Sequence, residues 1–215
     1  RLAAIDGHRI GIVAMPGEVE KEDKDINVPG YTYSILKGLQ NKVKGRKISL
    51  YANHKYIWIF GEDYTYSVRR VDGNYFDIDR MIKDVSAYEE HFSVDAKELK
   101  GIAKEYNKAI SKDKKPMIMY GESGNIYTAI QTADYKSVDT LENVKMISGS
   151  GKFLRGLDPA FVPDAAGMFD STAEMIGNDN SKHPVVFKDD DCMCLILPVN
   201  IAHDSMVDYV KNLVA

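Results

Sequence analysis

Short β-rich runs punctuated by turn residues dominate this chain, and they constrain its fold more than any other feature. The runs at 48–52, 56–60 and 64–70 are separated by Asn53-His54 and Gly61-Glu62-Asp63, the pattern of an antiparallel meander. A second series follows at 117–120, 126–132, 144–147, 168–175, 185–188 and 193–199. An earlier run, 9–15, ends at Pro16-Gly17. Helices are predicted at 31–43, 96–111 and 151–157, each followed by strands. That recurrence predicts an α+β protein with antiparallel sheets on one side and helices on the other. The charge-rich stretch 83–92 is the expected boundary between two parts.

With 44% apolar and 28% charged residues over 215 positions, the chain suits a globular protein with a real core. No apolar run approaches the roughly 20 residues of a membrane-spanning helix. It opens at Arg1 without Met, which reads as the start of a fragment. The net charge of −4 argues against nucleic acid on average, but the charge is sorted. Between 35 and 47 lie Lys37, Lys42, Lys44, Arg46 and Lys47 with no acid, while acid gathers at 18–25, 77–84 and 189–191. The helix at 96–111 sharpens this division. Leu99, Ile102, Ala103, Tyr106 and Ile110 form an apolar stripe, and Asp95 is placed to cap it. Lys97, Lys100, Lys104, Lys108 and Lys112 form a second stripe on the opposite face. Such a stripe is either a solvated face or a surface for a polyanion, whose phosphates would relieve the like-charge spacing.

Reactive groups do not converge. No G-x-S-x-G elbow and no paired metal-ligand spacing occurs, and the histidines at 8, 54, 91, 183 and 203 never stand four apart. Asp6 and His8 would share a strand face and form the one candidate acid–base pair. Gly149-Ser150-Gly151-Lys152 resembles a phosphate loop, yet Phe153 follows the lysine where a Walker motif needs Ser or Thr. Cys192 and Cys194 on a strand would place their Cα atoms roughly 6.6 Å apart with parallel Cβ vectors, unsuited to a mutual disulfide. With no further cysteine for a zinc site, their usage fits a reducing, cytoplasmic setting. Neither a metal nor a cofactor is expected, and catalysis is the least favoured reading.

Several segments carry a family resemblance. Ala3-Ala4-Ile5-Asp6-Gly7-His8-Arg9-Ile10 is similar to the A-T-D-G-H-R-L segment of the bacterial DNA polymerase III beta sliding clamp, and Ile26-Asn27-Val28-Pro29 to its V-x-V-P helix entry. The segment from Ser67 to Asp77, with Arg70-Val71-Asp72-Gly73 at its centre, resembles the clamp's R-L-I-D-G-x-F-P-D-Y. Lys152-Phe153-Leu154, His183-Pro184-Val185-Val186-Phe187 and Leu195-Ile196-Leu197-Pro198-Val199 follow in the family's order, the last resembling its closing M-P-M-R-L. Departures are the missing proline beside Phe76, Gly30-Tyr31 where basic residues are usual, Pro163, and Asn200 in place of the closing arginine.

The resemblance implies a DNA clamp fold, α+β, with antiparallel sheets outside and helices lining a central hole. It implies domains at 1–88 (part of the clamp's middle domain) and 89–201 (its C-terminal domain), with 202–215 as an extension. The implied function is a non-catalytic processivity factor: a ring-forming homo-oligomer, a homodimer at full length, that encircles duplex DNA without sequence preference. Implied partners are the polymerase III alpha subunit, the clamp loader and other proteins with clamp-binding motifs. The alternative is a clamp-like accessory or regulatory protein that binds such peptides without encircling DNA. By resemblance, the partner-peptide pocket lies between the domains and comprises Ile5, Gly7, His8, Arg9, Ile10, Phe76, Arg80, Met81, Lys182, Pro184, Leu195, Leu197, Pro198 and Val199. DNA contact is expected from Lys97, Lys100, Lys104 and Lys108 on their helical spacing, and from Lys37, Lys42, Lys152 and Arg155 because the resemblance puts them on channel-lining helices. The extension carries Met206, Val207, Tyr209, Val210, Leu213 and Val214 at helical spacing, after Asp204 or Ser205 as cap. It is expected either to pack on an outer surface or to cover the peptide pocket.

Overall fold

A computed structural model of the protein describes residues 1–15, 26–43, 46–73, 75–110 and 114–214, with the backbone alone over 39–43. In chain order the elements are β1 (Leu2–Ile5), β2 (Arg9–Val13), α1 (Tyr31–Val43), β3 (Ser49–Ala52), β4 (Tyr56–Phe60), β5 (Thr65–Arg69) and α2 (Ile78–Val85). They continue with β6 (Glu90–Asp95), α3 (Ala96–Ala109), β7 (Met117–Glu122), β8 (Asn125–Gln131), β9 (Lys136–Thr140) and β10 (Lys145–Ser148). The last are β11 (Phe153–Leu157), α4 (Val162–Ala166), β12 (Thr172–Gly177), β13 (Val185–Lys188), β14 (Cys192–Ile196) and α5 (Ser205–Val214).

The chain divides into two compact units, one of Arg1–Pro16 with Asp79–Ala215, the other of Gly17–Ile78. The smaller holds α1 and the predicted meander, in the order β3-β4-β5. Asn53 sets the first turn, its Oδ1 accepting from the Lys55 and Tyr56 amides at 2.8 and 2.9 Å.

The larger unit contains a seven-stranded sheet, β1-β2-β14-β13-β12-β6-β10, and a four-stranded sheet, β11-β7-β8-β9, both antiparallel. Alternating side chains of both sheets, such as Phe92, Val94, Met117, Met119, Phe187 and Ile196, meet in one core. Leu99, Ala103 and Tyr106 of α3 and Val162 and Ala165 of α4 join it. Met81 and Val85 of α2 pack on another face of the larger sheet with Ile176, Val186 and Leu195. The expected domain boundary at residue 88 falls inside this unit. β2 pairs with β14 from Arg9↔Ile196 to Val13↔Cys192, so the first strands extend the sheet of the C-terminal part.

The predicted helix at 151–157 is a strand. Phe153, Arg155 and Leu157 alternate into the interior of β11, a period-two pattern that the neighbouring glycines obscure. Gly156 allows that strand a close approach: a Cβ there would stand 2.3 Å from Ile201 Cγ2 and 2.8 Å from Val199 O. The run predicted at 168–175 begins as a strand only at Thr172, because the short α4 and its exit occupy the preceding residues. The extension forms α5, and Asp204 caps it, accepting from the Met206 amide at 3.0 Å. Met206 and Val210 are buried with Ile201 against Ile118 and Ala129 of β7 and β8. Of the two expectations for the extension, packing on a sheet face is the one observed.

Candidate functional sites

The lysine helix is built as its spacing predicts. Asp95 accepts from the Lys97 and Glu98 amides at 2.8 and 3.0 Å, fixing the start of α3. The apolar stripe is anchored by Tyr106, whose hydroxyl donates to the Asp139 carboxylate and to Thr128 O at 3.1 Å. Burial and that anionic acceptor raise the phenol's pKa, keeping it a donor. Lys97, Lys104 and Lys108 are exposed; Lys100 is half-buried, leaning toward Gly167 at the end of α4.

The remaining cations expected at DNA divide. Lys37 is exposed on α1, and the side chain of Lys42 lies outside the described residues. Lys152 is exposed just before β11, not on a helix. Arg155 cannot meet a solvent-borne ligand at all, because it is fully buried. Its Nη1 donates to Leu154 O at 2.6 Å, its Nη2 to Asn178 Oδ1 at 2.8 Å, and its guanidinium lies 4.9 Å from the Phe153 ring centre. Burial pulls its pKa down to about 10, so it remains a cation among neutral partners.

The expected peptide site gathers where β2 and β14 end. Asp6 and His8 are not a strand pair but part of a tight turn, with Gly7 at φ +85°. Asp6 accepts from the His8 and Arg9 amides at 3.1 Å each and from Arg9 Nε at 2.8 Å. Burial pushes the Asp6 pKa up, but these donors outweigh it and hold the carboxyl below its ordinary range. That disposes of the acid–base pair: Asp6 is engaged, and His8 instead stacks on Phe161, ring centres 5.5 Å apart. Arg9 lies over the same ring at 4.7 Å and its Nη1 donates to Asp164 at 2.6 Å.

Leu197 donates its amide to His8 O at 2.8 Å and remains 44% exposed, an apolar side chain in a position open to a partner. Pro198 and Val199 beside it are half-buried, and Pro184 precedes Val185, which pairs with Ile196. Ile10 and Leu195, paired across β2 and β14, are buried, with Met81 half-buried against Leu195. Ile5, Arg80 and Lys182 are exposed. All of these belong to the larger unit; Phe76, also exposed, belongs to the smaller. The sequence gives no sign of Phe161 and Asp164 at this place. They stand more than 150 positions from His8 and Arg9, and no local pattern announces such a contact.

Two other motifs resolve into structure. The Gly149–Lys152 loop does bind an anion, but its own: Glu90 accepts from Ser150 N, Ser150 Oγ and Gly151 N at 2.9, 2.7 and 2.8 Å. Cys194 is a buried thiol, its pKa pushed up to about 12 chiefly by burial, and Cys192 is half-buried and also raised by burial. Among the described residues no group of three or more His, Cys, Asp or Glu could hold a metal ion, and no helix is long and apolar enough to cross a membrane.

The antiparallel sheets that share a core with a few helices, with β2 continued onto β14, match the DNA clamp fold of solved structures. More narrowly, the chain carries the fold of part of a DNA polymerase III beta sliding clamp. A structure described as that subunit from Eubacterium rectale ATCC 33656 matches with a TM-score of 0.83 and 25% identity, over 93% of this chain and 54% of that one. The Pseudomonas aeruginosa subunit matches at 0.81 and 16% identity, over 92% and 54%. The C. crescentus beta sliding clamp, solved with bound PEG, matches at 0.79 and 20%, over 92% and 53%. The chain thus spans about half the length of each. No family model and no curated protein sequence matches it.

Proposed function

We propose that the chain serves as part of a DNA sliding clamp: a non-catalytic processivity subunit that joins a ring around duplex DNA. The observation that carries this reading is the fold correspondence over 93% of the chain with a beta subunit at 25% identity. The lysine face of α3 supports it chemically, since exposed lysines neutralise phosphates without reading bases and so permit sliding. A homodimer at full length and a cytoplasmic setting belong to the same proposal. The β2–β14 end, with Leu197 exposed beside the His8–Phe161 stack, is proposed as the site for an extended peptide with apolar anchors from polymerase or clamp loader.

The test compares retention of the protein on nicked circular duplex and on the same duplex linearised. A ring is released when the circle is cut, and its native mass is that of a closed symmetric oligomer. Equal retention on both forms, or none on the circle, refutes encirclement. Continued binding of a Leu-Phe-containing peptide in that case would favour the accessory-protein alternative.

A further inference from the structure

Two helices carry a mid-helix glycine that no contact among the described residues requires. Gly38 lies in α1 within Leu36-Lys37-Gly38-Leu39, and Gly101 lies in α3 within Leu99-Lys100-Gly101-Ile102. Neither has the positive φ that favours glycine. Both are exposed, and a Cβ at either would meet no described atom within 4 Å. Alanine would therefore fit at both positions and make a better helix. Packing among the described residues gives no reason for the same Leu-Lys-Gly step to occur on the basic helix of each unit. An approach from outside does.

The surroundings of Gly101 say what approaches. Helical spacing places Lys97, Lys104 and Lys108 at four before, three after and seven after, ringing the bare position with exposed cations. The acids on its other flank are engaged within the protein. Glu98 accepts from the Glu142 and Asn143 amides at 2.6 and 3.3 Å, and Glu105 accepts from the Tyr135 hydroxyl at 3.2 Å. At Gly38, exposed Lys37 and Ser34 offer a cation and a hydroxyl donor. Charge attraction grows as distance falls, so a missing side chain amid lysines favours a ligand whose anionic groups lie along a bulky backbone.

We propose that the bare steps at Gly38 and Gly101 are the points where the phosphodiester backbone of duplex DNA comes closest to α1 and α3. There each missing side chain admits a phosphate to the helix surface and the neighbouring lysines neutralise it. This rests on the DNA-clamp reading and assigns it two positioning residues.

The experiment titrates the whole chain against a fluorescein-labelled 30-base-pair duplex of mixed sequence, by anisotropy over a salt series. Affinity should fall in the order wild type, Gly38→Ala/Gly101→Ala, Gly38→Gln/Gly101→Gln, the last by roughly tenfold, the scale of one charge-assisted hydrogen bond. Circular dichroism should show at least wild-type helix in both variants, since each substitution improves helix propensity. A Lys104→Gln/Lys108→Gln variant serves as reference and should weaken binding with a shallower salt dependence. If the glycine variants bind as wild type while the lysine variant weakens, the positioning role is overturned and the DNA reading stands. If the wild type does not bind even at the lowest salt, or the lysine variant matches it, phosphate contact on these helices fails and takes the positioning role with it, while encirclement is decided by retention on the circle.

Discussion

The docking of α5 allows a quantitative test of how the extension is held. A helix of ten residues is marginal in water, so α5 persists through its buried face and not through propensity. That face is small: Met206 is 1% and Val210 0% exposed, against Ile118, Ala129 and Ile201. Truncating Met206 to Ala should cost about 2–5 kcal/mol. Val210→Ala removes two methyl groups and should cost about 2 kcal/mol. Together these approach the lower end of the stability of an entire domain, far more than a terminal element docked through two main side chains can hold in reserve. The double variant should therefore release α5 while β7 and β8 stay paired beneath it. Hydrogen exchange reads this directly. Amides of 206–214 should lose protection, those of β7 and β8 should keep theirs, and newly exposed Ile118, Tyr120 and Leu154 should bind a hydrophobic dye. Tyr209, whose ring lies over Lys136 Nζ, would leave with the helix. Unchanged slow exchange across α5 in the double variant would refute the reasoning, because the helix would then be held by something other than this face.

Deleting 202–215 should leave the affinity of a Leu-Phe peptide unchanged, as measured by calorimetry, because α5 seats on β7 and β8 and not on Leu197. Charge reversal of Lys97, Lys104 and Lys108 should flatten the salt dependence of duplex binding by about 0.9 in log–log slope for each phosphate no longer neutralised. Arg155→Met should leave duplex binding unchanged and lower stability in chemical denaturation by about 1–3 kcal/mol, because Leu154 O and Asn178 Oδ1 lose a buried donor that methionine cannot replace. Glu174 is raised by burial but held below its ordinary carboxyl range by hydrogen bonds from His91 and Lys188. The unfolded chain thus binds the proton more tightly, and the stabilisation is present above the ordinary value and is lost as pH falls through the folded one. Glu174→Gln should give a shallower acid limb of thermal midpoint against pH.

How much of the fold is legible in the sequence follows the range of the forces involved. The meander and α3 are written in local patterns: turn residues between β-branched runs, and an apolar stripe at helical spacing opposite a lysine stripe. Both appear as read, as do α1 and the capped α5. β11 reads as a helix because Gly151 and Gly156 interrupt its period-two alternation while Lys152 and Arg155 stand three apart, a spacing compatible with a helix. Its partner, β7, which fixes it as a strand, lies about 35 positions away. Arg155 shows the same limit: nothing adjacent distinguishes an arginine facing DNA from one sealed among Phe153, Leu154 and Asn178. At the peptide site, the Asp6–Arg9 turn is written locally, whereas Phe161 and Asp164 arrive through the fold. α2 reads only as a charged boundary, although Met81 and Val85 form its apolar side.

The acidic total of the chain is equally a matter of placement. Glu90 is enclosed by a loop's amides and hydroxyl, Glu98 by two amides, Asp139 by the Tyr106 and Ser137 hydroxyls, and Glu174 by His91 and Lys188. Each of these carboxylates accepts hydrogen bonds that fix strands, loops or helices, so its charge is committed to the fold. The cations on α3 are placed oppositely, standing exposed on a helix whose other stripe is core. A distant polyanion would feel the summed charge, which is negative, but screening limits that repulsion to about 10 Å at ordinary ionic strength. Within that distance the local array of Lys97, Lys104 and Lys108 dominates. This electrostatic balance, attraction at short range without long-range capture, is what the proposed sliding contact with a duplex would require.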